Sequence, residues 1–126
     1  MRLILDAGAF IALERRDPWM LKRLNAARIA RTPPVSHGGV IGQVWRGGGA
    51  RQAIVARVLF GVVIRPLDAA LGRAAGELLA RAKRADVIDA ALVLLARDGD
   101  HIITSDPDDL EPLARAADLD VELVVP

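Results

Sequence analysis

The chain has 126 residues, enough for one compact domain, and its composition argues against several classes of protein. Cysteine is absent and histidine occurs twice, which excludes a disulfide framework and a thiolate metal site and argues against a histidine-rich zinc site. No apolar run approaches the roughly 20 residues that span a bilayer, and Asp6 interrupts the apolar start. We therefore expect one cytoplasmic domain that does not enter a membrane.

The formal net charge is +1, but the charges are divided unevenly along the chain. Residues 1–63 carry ten basic and three acidic side chains, whereas residues 64–126 carry seven basic and thirteen acidic ones. Fifteen of the 17 cationic residues are arginines, whose planar guanidinium can bind two phosphate oxygens at once. The pattern is typical of a protein that binds a polyanion, and it is equally compatible with a GC-rich genome that favours arginine codons.

Short apolar runs alternate with stretches of helical periodicity along the whole chain. The predicted strands are residues 3–5, 34–36, 62–64, 101–104 and 121–125, and the predicted helices are 7–15, 18–30, 39–46, 50–60, 71–82, 86–97 and 107–117. Strands separated by helices indicate a parallel sheet that is covered on both faces. We predict an α/β fold, a single domain with about five parallel strands flanked by helices.

Two aspartates follow predicted strands. Asp6 comes directly after the first strand, and Asp106 lies two residues after Thr104 at the end of the fourth. Ligands of open parallel sheets bind beyond the carboxyl ends of the strands, so both are candidate site residues. Each also fits the N-cap of the following helix, a position that favours aspartate, and the acidic turn at 107–109 suits a helix start.

Asp89 is surrounded by apolar residues within the predicted helix 86–97. A buried carboxylate without a partner is costly, so we expect Asp89 to be paired, protonated or bound to a metal ion. Asp86 lies three residues earlier on the same side of the helix and is also an N-cap candidate. The arginines that could pair with Asp89 are Arg16, Arg46 and Arg84.

Asp6, Asp86, Asp89 and Asp106 together form an acidic group in a chain that has little histidine and no cysteine. Like charges that pack together repel one another, and a hard divalent cation relieves that repulsion. Oxygen ligands alone favour Mg²⁺ or Mn²⁺, and such ions commonly assist phosphoryl chemistry by activating a water molecule. The sequence therefore predicts an acidic metal site at one edge of the sheet.

Four short segments follow one another in a characteristic order and spacing. They are residues 3–10 (LILDAGAF), 44–48 (VWRGG), 85–90 (ADVIDA) and 103–110 (ITSDPDDL). In these segments the whole chain resembles the PIN-domain ribonucleases, specifically the VapC-type toxins of bacterial toxin–antitoxin pairs. The resemblance implies a five-stranded parallel sheet, Mg²⁺- or Mn²⁺-dependent cleavage of RNA by an activated water, a VapB-type antitoxin as partner, and a homodimer.

The resemblance also implies roles for individual residues. It maps the catalytic acidic positions onto Asp6, Asp89 and Asp106, with Asp86 as a further metal ligand. Thr104 matches a polar position beside the site, and Asp109 is expected to contribute to the site from outside the direct metal ligands.

One position departs from the family pattern, because Gln43 stands where the family has a glutamate. An amide can bind a metal through its oxygen, but it lacks the charge and cannot act as a base. The departure predicts either a slower nuclease or a PIN fold that only binds antitoxin or RNA.

The other candidates lie in the basic half of the chain. Arg15, Arg16 and Arg46 are predicted to contact RNA or antitoxin, and the alternative is that they are ordinary solvated charges. We expect Phe10 and Trp45 in the core or at a dimer interface, and His37 on the surface.

Overall fold

The computed structural model describes all 126 residues, with five strands and seven helices. The strands are β1 (Leu3–Leu5), β2 (Val35–His37), β3 (Val63–Arg65), β4 (His101–Ile103) and β5 (Glu122–Val124). The helices are α1 (Ala7–Glu14), α2 (Pro18–Ile29), α3 (Gly38–Val44), α4 (Ala50–Leu59), α5 (Ala69–Ala82), α6 (Val87–Leu95) and α7 (Pro107–Ala116). Every predicted element is present, and its ends differ from the prediction by at most two residues.

The five strands form a single sheet in the order β3-β2-β1-β4-β5, and every neighbouring pair is parallel. The predicted α/β fold with five parallel strands is therefore confirmed. In the central pair, Leu5 of β1 lies opposite Ile103 of β4. Asp6 and Thr104 follow these two residues, so the register brings them side by side at the carboxyl edge of the sheet.

The helices form two groups. Helix α1 contacts α2, α3 and α4, whereas α5, α6 and α7 contact one another. The chain runs from β1 through β2 to β3 on one side of the sheet and then crosses to β4 and β5. Because connections between parallel strands are almost always right-handed, this reversal of direction puts the two groups on opposite faces. The connections after β1 and β4 leave in opposite directions, so the gap between these strands is the topological switch point, where open α/β sheets bind ligands.

The core contains 25 buried hydrophobic residues, drawn from the central strands and the inner sides of the helices. Phe10 of α1 is completely buried, as predicted. Trp45 keeps 40% of its surface exposed and is not a core residue, so its place at a dimer interface stays a prediction. None of the seven helices has both the length and the apolar character needed to cross a bilayer.

Candidate functional site

Asp6 stands at the switch point, and both of its carboxylate oxygens are engaged. The residue is 6% exposed. Its Oδ1 accepts a hydrogen bond from the backbone N–H of Ala7 at 2.8 Å, and its Oδ2 accepts one from the hydroxyl of Thr104 at 2.7 Å. The first bond caps α1, as predicted, and the second ties β1 to the end of β4. Asp6 therefore serves as a cap and also lies at the predicted site.

Thr104 connects Asp6 to the start of α7. It is completely buried, and its hydroxyl oxygen accepts a hydrogen bond from the backbone N–H of Asp106 at 3.0 Å. Asp106 occupies the predicted N-cap position of α7, but its side chain makes no capping hydrogen bond and is exposed. The Asp106 carboxylate is therefore available for another partner.

Helix α6 brings two more aspartates to this region. Asp86 is the N-cap, as predicted, and its Oδ1 accepts hydrogen bonds from the backbone N–H groups of Ile88 at 2.9 Å and Asp89 at 3.1 Å. Asp89 is half-buried in the first turn.

The arginine partner considered for Asp89 is not found. The contacts between basic and acidic side chains are the ion pairs of Arg2 with Asp100 and of Arg115 with Glu111, and the contact of the His101 ring with Glu122. Arg16, Arg46 and Arg84 therefore form no ion pair with Asp89, although Arg84 lines the same cleft.

The charges of these carboxylates act on one another. Burial, and then the negative charges of Asp86, Asp6, Asp109 and Asp106, raise the pKa of Asp89 from 3.8 to about 7. A cleft of about 200 Å³ lies beside it, lined by Arg84, Ala85, Asp86, Asp89, Asp109 and Leu113. The predicted acidic residues thus meet in one electrostatic environment, whose repulsion a proton or a cation would relieve.

The residue types of this acidic group fit a hard divalent cation. All of the charged donors are carboxylate oxygens, the ligands that Mg²⁺ and Mn²⁺ prefer, and none forms an ion pair with a basic residue. However, no three acidic or histidine side chains are grouped closely enough to hold one ion. The carboxylates interact through their charges at distances longer than those between ligands of a single metal.

Gln43 and the three arginine candidates are all exposed. Gln43 lies on α3, and its side chain makes no hydrogen bond within the protein. Arg15 ends α1, about 13 Å along the helix axis from Asp6, and Arg16 adopts a left-handed backbone with φ of 55°. The Nη1 of Arg46 donates to the carbonyl oxygens of residues 42 and 45 at 3.0 and 2.7 Å. None of the three arginines pairs with a carboxylate, so each can present its charge to a ligand.

His37 is completely buried, so the prediction that it lies on the surface is wrong. Its Nδ1 accepts a hydrogen bond from the backbone N–H of Gly39 at 3.0 Å, and its Nε2 lies 3.0 Å from the carbonyl oxygen of Ile88. This arrangement requires the tautomer that carries hydrogen on Nε2. The ring therefore joins the carboxyl end of β2 to the first turn of α6, one residue before Asp89.

The nearest sequence signal for this buried ring is the pair of glycines that follows it. A Cβ atom at Gly39 would lie 2.8 Å from Cε1 of the His37 ring, so only glycine leaves room for it. The glycines do not reveal the partner, since Ile88 is 51 residues away along the chain.

Gly8 is a second residue of the region that the sequence interpretation did not assign. A Cβ atom there would clash with the Ser105 hydroxyl and lie 2.9 Å from the Ser105 backbone nitrogen. Glycine thus allows α1 to approach the β4–α7 loop closely, which keeps Asp6 near Asp106.

A comparison with models of protein families gave no match, and a search of curated proteins gave none either. The resemblance to PIN-domain ribonucleases therefore stays a prediction from the four sequence segments.

Proposed function

We propose that this protein is a Mg²⁺- or Mn²⁺-dependent endoribonuclease of the PIN-domain class and the toxin of a toxin–antitoxin pair. The observation that carries the proposal is that Asp6 and Asp106 lie at the carboxyl edge of the parallel sheet, where their charges add to burial in raising the pKa of Asp89, and that none of the three has an ion pair to a basic residue. Carboxylates that have no basic partner and add to the raised pKa of a half-buried neighbour, as here at Asp89, cost folding stability, which is typical of sites arranged for chemistry.

In this proposal, Asp6, Asp89 and Asp106 would move closer together to hold the cation, since their present spacing is too wide for one ion, and Asp86 and Asp109 would add negative charge around it. The bound ion would activate a water molecule and offset the charge of the phosphodiester. Thr104 fixes the orientation of the Asp6 carboxylate through the 2.7 Å hydrogen bond to Oδ2. The carboxyl group of Asp89 holds a proton near neutral pH, so the cation and the proton compete for it.

The exposed arginines of the first half of the chain support RNA as the substrate. Arg15, Arg16 and Arg46 have no acidic partner and could contact phosphates on either side of the scissile bond. The antitoxin partner and the homodimer rest on the sequence resemblance alone.

The test is cleavage of a structured RNA by the purified protein with Mn²⁺. Asp6→Asn keeps an oxygen that can cap α1 but removes the charge, and we expect it to lower the cleavage rate by about 100-fold or more. The control is Asp118→Asn, since Asp118 is exposed, lies outside the site and has a left-handed backbone (φ 54°) that asparagine tolerates. Equal rates for wild type and Asp6→Asn would refute the proposed site.

The exposed amide of Gln43 favours a second candidate function, a weakened PIN fold that binds antitoxin or RNA without cutting. Gln43→Glu separates the two candidates in the same assay. A large gain of Mn²⁺-dependent cleavage indicates that the amide limits the natural protein, and an unchanged high rate indicates that it does not. RNA binding without cleavage in both proteins favours the binding module.

A further inference from the structure

A second cavity lies at the opposite edge of the sheet from the carboxylates. It has a volume of about 420 Å³ and lies between the C-terminal ends of α2 and α4, where the chain enters β2 and β3. Because the strands are three residues long and parallel, this edge is about 10 Å from the carboxyl edge. No residue lines both this cavity and the cleft at Asp89, so the two are separate sites.

The walls of the cavity are apolar, and its charges are all positive. Leu24, Ala27, Val58 and Val62 supply the apolar surface. Arg28, Arg31 and Arg57 are the only charged residues that line it, and none of them pairs with a carboxylate. The cavity therefore combines apolar walls with an excess of positive charge.

The favourable position of a cation at the C-terminal end of a helix explains only two of these three arginines. Arg28 and Arg57 stand in the last turns of α2 and α4, where a cation also offsets the helix dipole. Arg31 lies beyond the C-cap of α2 in a left-handed conformation with φ of 55°, so its place is not explained by the dipole of the last turn.

We propose that this cavity binds a small organic anion, a molecule with an apolar body and one carboxylate, sulfonate or phosphate group. The apolar body would lie against Leu24, Val58 and Val62, and the anionic group would contact the arginines. The volume falls within the range of small-molecule sites, about 300–1,000 Å³. A nucleic acid would gain little from these apolar walls, because no aromatic side chain lines the cavity to stack on a base.

The probe for the test is 8-anilinonaphthalene-1-sulfonate, an apolar anion whose fluorescence reports binding, and its neutral counterpart is N-phenyl-1-naphthylamine. We expect saturable binding of the sulfonate at one site and at least about tenfold weaker binding of the neutral molecule. Amide chemical shifts should change at Thr32, Gly61 and Val62 and remain unchanged around Asp89.

Two sets of variants locate the site. The double variant Arg31→Gln/Arg57→Gln should raise the Kd of the sulfonate by about tenfold or more. The control is Arg73→Gln/Arg81→Gln on α5, which removes the same amount of positive charge and should change the Kd by less than about twofold. Gly61 tolerates a side chain, since the nearest atom to its Cβ position is 3.7 Å away. Gly61→Glu should therefore weaken binding more than the neutral Gly61→Gln.

The proposal is overturned by absence of saturable binding, by equal affinity for the charged and neutral molecules, or by equal effects of the two double variants. Thermal unfolding of each variant, measured alongside, shows that loss of binding is not loss of fold.

Discussion

Asp89 shows how a single residue links the candidate site to folding stability. Its pKa of about 7 in the folded protein lies well above the ordinary 3.8, so between about pH 4 and 7 the folded chain binds a proton that the unfolded chain has released. The contribution of Asp89 to the free energy of unfolding is therefore fully present below about pH 4. It is lost as the pH rises through 7 and the folded protein must carry the buried charge.

We expect Asp89→Asn to stabilise the metal-free protein at pH 8, because it removes a negative charge that is disfavoured by burial and by repulsion from four other aspartates. The gain should be on the order of 1 kcal/mol, since partial exposure screens the repulsion. The measurement is the Tm in EDTA between pH 4 and 8, where the difference from wild type should shrink toward pH 4. Parallel Tm profiles for the two proteins would contradict the assignment.

Asp100 has the opposite pH dependence. Burial alone would raise its pKa, but hydrogen bonds from the Arg2 side chain and from the backbones of Arg97 and Arg2 outweigh burial and lower it. Stability from Asp100 is present above about pH 4 and is lost as the pH falls below that value. The two aspartates therefore act in separate pH windows, so the Asp89 measurement is not confused by Asp100.

The buried ring of His37 allows a second prediction about a single residue. His37→Ala removes the two hydrogen bonds of a fully buried ring and leaves a cavity, so we expect a loss of about 2–4 kcal/mol in the free energy of unfolding by urea. The control is His101→Ala, because that ring is partly exposed and pairs with an exposed Glu122, and it should cost less than about 1 kcal/mol. Equal losses in the two variants would show that the His37 ring does not hold β2 against α6.

Sequence reasoning identified the capping residues of the site but not the buried histidine. Asp6 and Asp86 are recognisable because a cap depends on the next few residues, which are visible in the sequence. The environment of His37 depends on Ile88, whose proximity is set by tertiary packing. For Asp106 the sequence left two roles open, a site residue or an N-cap, and the structure shows that its N–H is bound by Thr104 and that its side chain does not cap α7.

At the scale of elements, the approach of α1 to the β4–α7 loop holds the two central strands together at the site. Gly8→Ala should reduce stability by about 1–3 kcal/mol, because the added Cβ would lie 2.9 Å from the Ser105 backbone nitrogen and that backbone must move. The matched control is Gly76→Ala in α5, where no atom lies within 4 Å of the Cβ position.

For the control Gly76→Ala, the free energy of unfolding should increase by about 0.5–1 kcal/mol, the usual effect of replacing glycine by alanine inside a helix. Urea unfolding of both variants makes the comparison. A stabilised Gly8→Ala protein would show that the two elements do not touch as described.

The elements themselves were predictable, because hydrophobic periodicity and turn residues are local properties. All five strands and seven helices fall within two residues of their predicted ends. The strand order was not predicted, since it depends on which strands pair across more than 90 residues, as Leu5 and Ile103 do. This pairing makes Asp6 and Thr104 neighbours. The sequence could therefore predict that both lie at the carboxyl edge of the sheet, but not that the Thr104 hydroxyl donates a hydrogen bond to Asp6.

At the scale of the whole molecule, the near-zero net charge conceals two regions of opposite sign. Aspartates gather where β1 and β4 end, whereas Arg28, Arg31 and Arg57 surround a cavity where β2 and β3 begin. The proposed metal site and the proposed anion site therefore lie at opposite edges of one sheet, and each can be altered without disturbing the other.

The measurement that tests the central claim most directly is Mn²⁺ binding by calorimetry at pH 7.5. We predict that wild type binds Mn²⁺, that Asp89→Asn raises the Kd by about tenfold or more, and that Asp118→Asn leaves it within about twofold, because Asp118 is exposed and outside the site. Equal affinities of wild type and Asp89→Asn, or no binding of Mn²⁺ by wild type, would contradict the assignment of this acidic edge as a metal site.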